Sequence, residues 1–314
     1  MFTVIGEALL DLVQHTPEGP YVARPGGGPL NIAVGLQRLG HPTELMARLS
    51  RGSLGQVVRR HAEQNGVGLT HSVQTDDPAT LAFATLDGRG HASYEFYVQG
   101  TADWGWAAAE LAAMPAGTRA VHCGSLATAL APGAEVILSA FQRERAAGHS
   151  LVSFDPNVRP DLVGHRPSAV ARVERFVAAA HVVKASDEDL AWLYPDTTTA
   201  DVLAAWSRLG PALVVVTRGA AGCVALTAQR VEVEEPAVEV PVEDTIGAGD
   251  AFMSGLLSGL ADGRRLSPAG VAGISAADLR MALRRASVVS ALTCERAGAD
   301  PPTGEDCAAY LASH

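Results

Sequence analysis

Two hydrophobic rhythms divide the chain. Ala120–Cys123, Leu151–Phe154, Val182–Lys184 and Leu213–Thr217 are short, nearly continuous apolar runs. Between them, Gly133–Ala147, Pro167–Ala179, Glu188–Tyr194 and Ala200–Leu209 repeat their apolar positions at helical spacing. Short unbroken runs read as strands buried on both faces, and the longer amphipathic segments read as helices that cover them. Phe2–Ile5 and Thr43–Leu49 add strands towards the N-terminus, with helices at Ile32–Gly40 and Gly55–Asn65, the first C-capped by Gly40 and the second ended by Gly66. Cys223–Leu226 and Arg230–Val233 read as a hairpin, followed by helices at Ala251–Ala261, Ala276–Leu292 and Gly304–Leu311. This alternation predicts one α/β domain over residues 1–314: three layers, with a mostly parallel central sheet and helices on both faces. Ligands of such sheets bind at the carboxyl ends of the strands.

One region breaks the rhythm. Ala79–Leu86 and His91–Val98 are extended runs flanking Asp87-Gly88-Arg89-Gly90, a hairpin signature. Pro17–Pro25 is rich in turn residues and reads as exposed. An isolated hairpin is marginal in water, so this one is expected to cover something, as a small β flap over a site.

Composition narrows the class. Apolar residues make up 47% of the chain and aromatics 5%, so the core is built mainly of Val, Leu and Ala. With 24 basic against 34 acidic residues the net charge is −10, which argues against a nucleic-acid surface. Cys123, Cys223, Cys294 and Cys307 are far apart, which fits a cytoplasmic protein with free thiols. Acidic Glu7 and Asp11 come too early for a signal peptide, and the run Phe252–Ala261 is too short to span a bilayer.

The chemistry concentrates in Asp244-Thr245-Ile246-Gly247-Ala248-Gly249-Asp250. Gly247 and Gly249 leave the main chain bare where a helix begins, and free N–H groups there can meet an anion. Asp250 beside such a nest makes sense if it takes a proton from a hydroxyl attacking phosphorus. The plain alternative is a loop with an Asp helix cap. Gly26-Gly27-Gly28-Pro29-Leu30-Asn31 is a second glycine-rich loop feeding a helix, with Asn31 in its first turn. It is no nucleotide P-loop, since GxxxxGK[ST] is absent. Other polar groups fall at predicted strand ends: Asp11 after the first strand, Asp155-Pro156-Asn157-Val158-Arg159, Lys184 to Asp189, and Thr217-Arg218-Gly219-Ala220-Ala221-Gly222. Each has a local alternative: an Asx turn at Asp155, a capping box at Ser186–Asp189, turn glycines at Gly219 and Gly222. His122 and Cys123 lack metal-ligand spacing and read as core. HExxH and GxSxG are absent, which argues against a zinc site and a serine hydrolase.

These residues resemble the ribokinase-like, or pfkB, carbohydrate kinases. Asp244–Asp250 is similar to the family's C-terminal signature and Gly26–Ala33 to its N-terminal one, and the likeness runs from the first strand to Gly298-Ala299. Bacterial fructokinases are the nearest branch. The resemblance implies Asp250 as base and Gly247, Ala248 and Gly249 as anion hole. It implies that Asp11, Gly27, Gly28 and Asn31 hold sugar, that Arg159 reaches sugar and phosphate, and that Tyr97 belongs to the lid over the sugar. Lys184, Ser186, Thr217, Gly219, Gly222 and Gly249 would serve ATP, with Ala286 and Val289 in a segment bordering adenine. Asp189 would hold Mg2+ through water, and Asp244 with the Ile246 carbonyl a monovalent cation, usually potassium. The lid maps to about residues 11–24 and 79–98 and in many members also forms a homodimer contact. Ser186 and Asp189 replace the Asn and Glu of the family's usual metal-shell motif. Fructose is the favoured acceptor because Gly100 to Asp103 matches fructokinases and Tyr94–Asp103 lacks Arg and Lys. A 2-keto-3-deoxygluconate, ribose or nucleoside kinase is the alternative. From other classes, a non-catalytic sugar or nucleoside sensor and a dinucleotide oxidoreductase are the rivals. The oxidoreductase lacks GxGxxG after the first strand.

Overall fold

The structure is a computed structural model that describes every residue except 15, 17, 18, 87–91 and 314, and only the backbone of 84–86 and 92–94. Its strands are β1 (Phe2–Ile5), β2 (Leu9–Gln14), β3 (Tyr21–Gly26), β4 (Thr43–Met46), β5 (Arg48–Ser50), β6 (Val73–Thr75), β7 (Leu81–Leu86), β8 (Ala92–Tyr97), β9 (Ala120–Gly124), β10 (Leu151–Asp155), β11 (Val182–Ser186), β12 (Leu213–Thr217), β13 (Cys223–Thr227) and β14 (Glu232–Glu235). Eight of them form the central sheet in the order β14-β13-β12-β11-β10-β9-β1-β4. From β12 to β4 the neighbours are parallel, and β13 and β14 close the other edge antiparallel.

Every residue of β1, β9 and β10 is buried, because helices pack on both faces. On one face, Val4, Leu151 and Val215 meet the helices Gly28–Arg38, Ser53–Gln64, Ala248–Asp262 and Ala276–Cys294. On the other, Ile5, Val121, Val152 and Val214 meet Gly133–Ala147, Arg166–Ala179, Asp187–Leu193 and Thr199–Leu209. The expected three-layer α/β architecture is what the chain forms.

A second, four-stranded sheet has the order β3-β2-β7-β8. Its strands overlap the segments expected to form a flap, and the expected turn at Asp87–Gly90 lies outside the described residues. Three expectations change here. Tyr21–Gly26, read as part of a turn-rich stretch, is a strand. Pro25 is tolerated because β3 is an edge strand, where a missing N–H costs no second partner. Asp11 does not end the first strand. The chain leaves the central sheet after Ile5, and Asp11 sits within β2, paired with Arg24 and Ala82. Thr43–Leu49 also divides into β4 and β5, and β5 joins β6 in a separate two-stranded sheet.

Candidate active site

Two helix starts face each other above the carboxyl ends of the central strands. The helix Gly28–Arg38 begins after Gly27, whose φ of 105° lies outside what most residues adopt. Asn31 falls in its first turn and donates from Nδ2 to Asp250 Oδ2 at 2.9 Å. The helix Ala248–Asp262 begins after Gly247, which is left-handed at φ 78°. A Cβ on Gly247 would lie 2.5 Å from Ala299 Cβ, so only glycine fits this entry. Asp250 is thereby set within the first turn. Gly28 completes the juxtaposition: a Cβ there would stand 3.2 Å from Asp250 Oδ1, 3.3 Å from Ser125 Cβ and 3.5 Å from Asn157 Nδ2.

Asp250 is 8% exposed, and Asn31 makes the single hydrogen bond to its carboxylate among the described residues. Oδ1 has no such partner and faces the recess walled by Gly28, Ser125 and Asn157. Burial holds its pKa above the ordinary aspartate range, opposed by the Asn31 hydrogen bond and the charges of Lys184 and Arg159. The Ala248 N–H closes a turn on the Thr245 carbonyl at 3.2 Å. The expected nest is corrected accordingly: among the described residues the backbone N–H groups of Gly247, Gly249 and Asp250 have no backbone partner, and Ala248 is occupied.

Below this helix start, Lys184 Nζ donates to Asp155 Oδ2 at 2.8 Å, with both side chains under 5% exposed (4% and 3%). Burial pulls the ammonium down, but Asp155, Asp189 and Asp250 outweigh it, so Lys184 stays charged. Its Nζ lies 3.1 Å from where a Gly249 Cβ would be, directly beneath the nest. Asp155 Oδ1 accepts from the Asn157 N–H at 3.2 Å, the Asx turn foreseen as an alternative. Asn157 in turn accepts from Arg159 at 2.6 Å through Oδ1. Arg159 is exposed, and its charge acts on both Asp11 and Asp250. Burial pushes Asp11 up to about 6, with Arg159 pulling it back and Asp250 adding to the rise.

The neighbouring strand ends carry the rest. Asp189 Oδ1 accepts from Val158 N–H at 2.7 Å, and Oδ2 from Ser186 N–H at 2.9 Å and Ser186 Oγ at 2.8 Å. The capping box is therefore real, and it ties two strand ends together. Beside it a cleft of about 180 Å³ is lined by Arg159, Ser186, Asp189 and Trp192. Ser186 and Thr217 are register partners, so β11 and β12 end together. A side chain at Gly219 would meet open space, whereas one at Gly222 would lie 2.2 Å from the Glu235 carbonyl oxygen. Gly222 is therefore a turn glycine. Asp244 spends Oδ1 on the Ile246 N–H at 2.9 Å and Oδ2 on the Gly298 N–H at 2.8 Å, fixing the loop before the nest.

Three expected site residues lie elsewhere. Ala286 and Val289 are fully buried where Ala276–Cys294 crosses Ala248–Asp262. A Cβ on Gly255 would fall 2.8 Å from Ala286 Cα and 3.0 Å from Val289 Cβ, so both are helix-packing residues with no surface for a ligand. Tyr97 pairs with Leu81, and Asp11 pairs with Ala82, so strand alternation sends Tyr97 to the opposite face of the small sheet. There it is 53% exposed and packs edge-on against Phe83 at 5.3 Å.

The structure also brings in residues given no role in the site from the sequence. His122, read as core, walls the recess; its Nδ1 lies 3.0 Å from Ser153 Oγ, and its Nε2 has no partner among the described residues. Ser125, at φ 55°, and Asn157, at φ 37°, are left-handed non-glycine residues bordering the same recess. Backbone strain of this kind clusters at functional sites. Glu7 is buried beneath, its Oε2 accepting from the Ala127 N–H at 2.9 Å. Isolated polar residues at the ends of apolar runs were the only sequence signal for these.

Comparison with known proteins places the chain in a family. The model of the pfkB family carbohydrate kinases matches residues 1–305. Fructokinase from Rhizobium leguminosarum bv. trifolii is 33% identical over 283 residues, 89% of this chain and 86% of that protein. Fructokinase from Salmonella typhimurium is 34% identical over 260 residues, 82% and 83% of the two. Among solved structures, fructokinase with bound ATP from Xylella fastidiosa superposes with a TM-score of 0.90 at 28% identity, covering 99% of this chain and 98% of that one. Aminoimidazole riboside kinase from Salmonella enterica, with aminoimidazole riboside and an ATP analog, gives 0.84 at 27% identity, with 99% of each chain covered. Fructokinase from Vibrio cholerae O395 with fructose, ADP and calcium gives 0.83 at 28%, covering 99% and 98%. By its two signature loops, its fold and its whole-chain match, this protein belongs to the pfkB family of carbohydrate kinases and is a fructokinase-like phosphotransferase.

Proposed function

We propose that the enzyme transfers the γ-phosphoryl group of ATP to the primary hydroxyl O6 of fructose, with Asp250 as general base. The observation that carries this reading is the carboxylate itself: Oδ2 is held by Asn31, Oδ1 has no partner among the described residues, and bare amides begin the same helix. A base needs a free oxygen within reach of the proton it takes. Asp11, Gly27, Gly28 and Asn31 would hold sugar hydroxyls, with Asn157 beside them. Oδ1 of Asp250 would take the O6 proton, and the Gly247, Gly249 and Asp250 amides would stabilise charge on the transferring group. Lys184 acts from beneath the nest, its charge reinforcing the amides. Arg159 bridges the sugar side and the cleft at Ser186 and Asp189.

The nucleotide would lie along the ends of β11 and β12, past Thr217 and the open face of Gly219. Mg2+ on the nucleotide would neutralise β- and γ-phosphate charge. The cleft suits it in a water-mediated way, since Asp189 already accepts from three protein donors. The Asp244 loop offers carboxylate charge and carbonyls, Ile246 among them, for K+. The small sheet would act as a lid, excluding water as a competing acceptor. Its outer rings, Tyr21, Phe83 and Tyr97, would form a homodimer contact; Tyr21 and Phe83 lie 5.2 Å apart. No described helix is long and apolar enough to cross a membrane, which is compatible with a cytoplasmic enzyme.

A second reading is a nucleoside acceptor, favoured by the 0.84 likeness to aminoimidazole riboside kinase. A coupled ADP-release screen over fructose, ribose, aminoimidazole riboside and 2-keto-3-deoxygluconate separates the two, with the product's phosphate position read by phosphorus NMR. Fructose 6-phosphate as the favoured product supports the first reading. Preference for the riboside or the acid overturns it.

A further inference from the structure

The small sheet is joined to the core through connections that meet at one buried carboxylate. Asp103, 1% exposed, follows β8, where the chain returns to the core. Its Oδ1 accepts from the Ala8 N–H at 2.8 Å, where the chain leaves β1 for β2. It also lies beside Thr80, where the chain enters β7. Thr80, fully buried, lies 2.6 Å from Thr101 through the two hydroxyls, and Thr101 donates to the Val98 carbonyl at 3.0 Å at the end of β8. The Ala102 N–H donates to the Pro78 carbonyl at 2.9 Å, and the Leu10 N–H to the Thr80 carbonyl at 3.2 Å. The remaining connection, from β3 to the helix Gly28–Arg38, passes over Glu7: a Cβ on Gly27 would lie 2.8 Å from the Glu7 carbonyl oxygen.

Nothing in the phosphoryl-transfer chemistry needs Asp103, since it touches neither Asp250 nor the recess. A buried carboxylate is costly, and here all its described partners belong to lid connections or to its own backbone. A purely apolar joint would pack as well, but it would not fix where Ala8, Thr80 and Asp103 sit relative to one another. The step from Ala8 through Leu9 and Leu10 to Asp11 is short, so the clasp sets the place of Asp11 over the sugar recess.

We infer that Asp103, with Thr80 and Thr101, is the clasp that positions the lid: a positioning residue that acts through Asp11 and lid closure. This rests on the kinase reading above. Asp103→Asn keeps the volume but removes the negative charge to which the Ala8 N–H donates. It is expected to raise the sugar KM roughly tenfold, the size of effect that losing a charged hydrogen bond gives. The ATP KM stays within about twofold, and more than one ADP is released per sugar phosphate, because a loosened lid admits water. Thr80→Val, which removes only a hydroxyl, does the same to a smaller degree.

A merely less stable protein would lose active fraction without changing the ADP-to-product ratio or separating the two KM values. Unchanged sugar KM and unchanged coupling in both variants overturn the clasp, as does an equal rise in both KM values. Hydrogen exchange gives a readout that needs no activity: Asp103→Asn should speed exchange in β2 and β7 and leave β9 and β10 protected. Equal exchange in the lid strands overturns the proposal. If the native enzyme phosphorylates no acceptor, the kinase reading fails, and the exchange result alone decides the clasp.

Discussion

Asp250 and Asp155 are two buried aspartates under one helix start, and they have opposite surroundings. Asp155 is satisfied on both oxygens, by the Lys184 ammonium and the Asn157 amide. Among the described residues Asp250 has one neutral donor, Asn31, and an unpartnered oxygen towards the recess. Burial pushes both carboxyls up, Asp155 to about 6, but only Asp155 holds a cation in hydrogen-bond contact. The difference separates a carboxylate that builds the site from one left able to accept a proton.

The largest effect expected is at Asp250. Asp250→Asn should cut turnover by roughly 10²- to 10⁴-fold with sugar affinity nearly unchanged, read by steady-state kinetics and calorimetric sugar binding. Near-native turnover would break the contrast at its root.

Lys184→Met should affect stability as well as rate. It strands the Asp155 charge in the core and is expected to cost about 3–5 kcal/mol in urea unfolding. Adding Asp155→Asn should recover much of that loss. If the single variant is as stable as the native chain, the pair is not a structural unit.

Gly28→Ala tests the free oxygen from the other side. The added methyl would sit 3.2 Å from Asp250 Oδ1 and 3.3 Å from Ser125 Cβ. Crowding of this degree costs about 1–3 kcal/mol, so a sugar KM raised about tenfold or more is expected, with ATP binding spared.

The pH dependence sharpens the contrast further. Asp250 must be ionised to accept a proton, and burial raises its pKa. Activity should therefore fall on the acid side about tenfold per pH unit, below a limb lying above the ordinary aspartate value of about 3.9. Asn31→Ala removes a hydrogen bond that lowers this pKa, so the limb should move to higher pH.

A last effect, on stability rather than on activity, concerns Glu7, pushed up to about 7 by burial. Its folded pKa exceeds its unfolded value of about 4.3, so the folded state holds the proton more tightly. The resulting stability is complete below about pH 4 and is lost as pH rises through about 7. Glu7→Gln should flatten unfolding free energy across that window.

Much of this protein was legible in its sequence, and the reason is local. Short continuous apolar runs alternating with helix-length amphipathic segments read as buried strands, so β1, β9, β10, β11 and β12 fall where the pattern puts them. Gly247 before Asp250, and Gly27 before the helix carrying Asn31, are needed by backbone geometry that a single residue type declares. Contacts between distant segments were another matter. Strand parity, set by the pairing of β2, β7 and β8, turned Tyr97 away from Asp11. Helix crossing sealed Ala286 and Val289 against Gly255. Asn31 and Asp250 stand 219 positions apart, and the bond between them exists only because two helices start over the same strands. Composition and spacing determined which groups could do chemistry. The fold decided which of them were left unsatisfied, because burial and partnership depend on neighbours far along the chain.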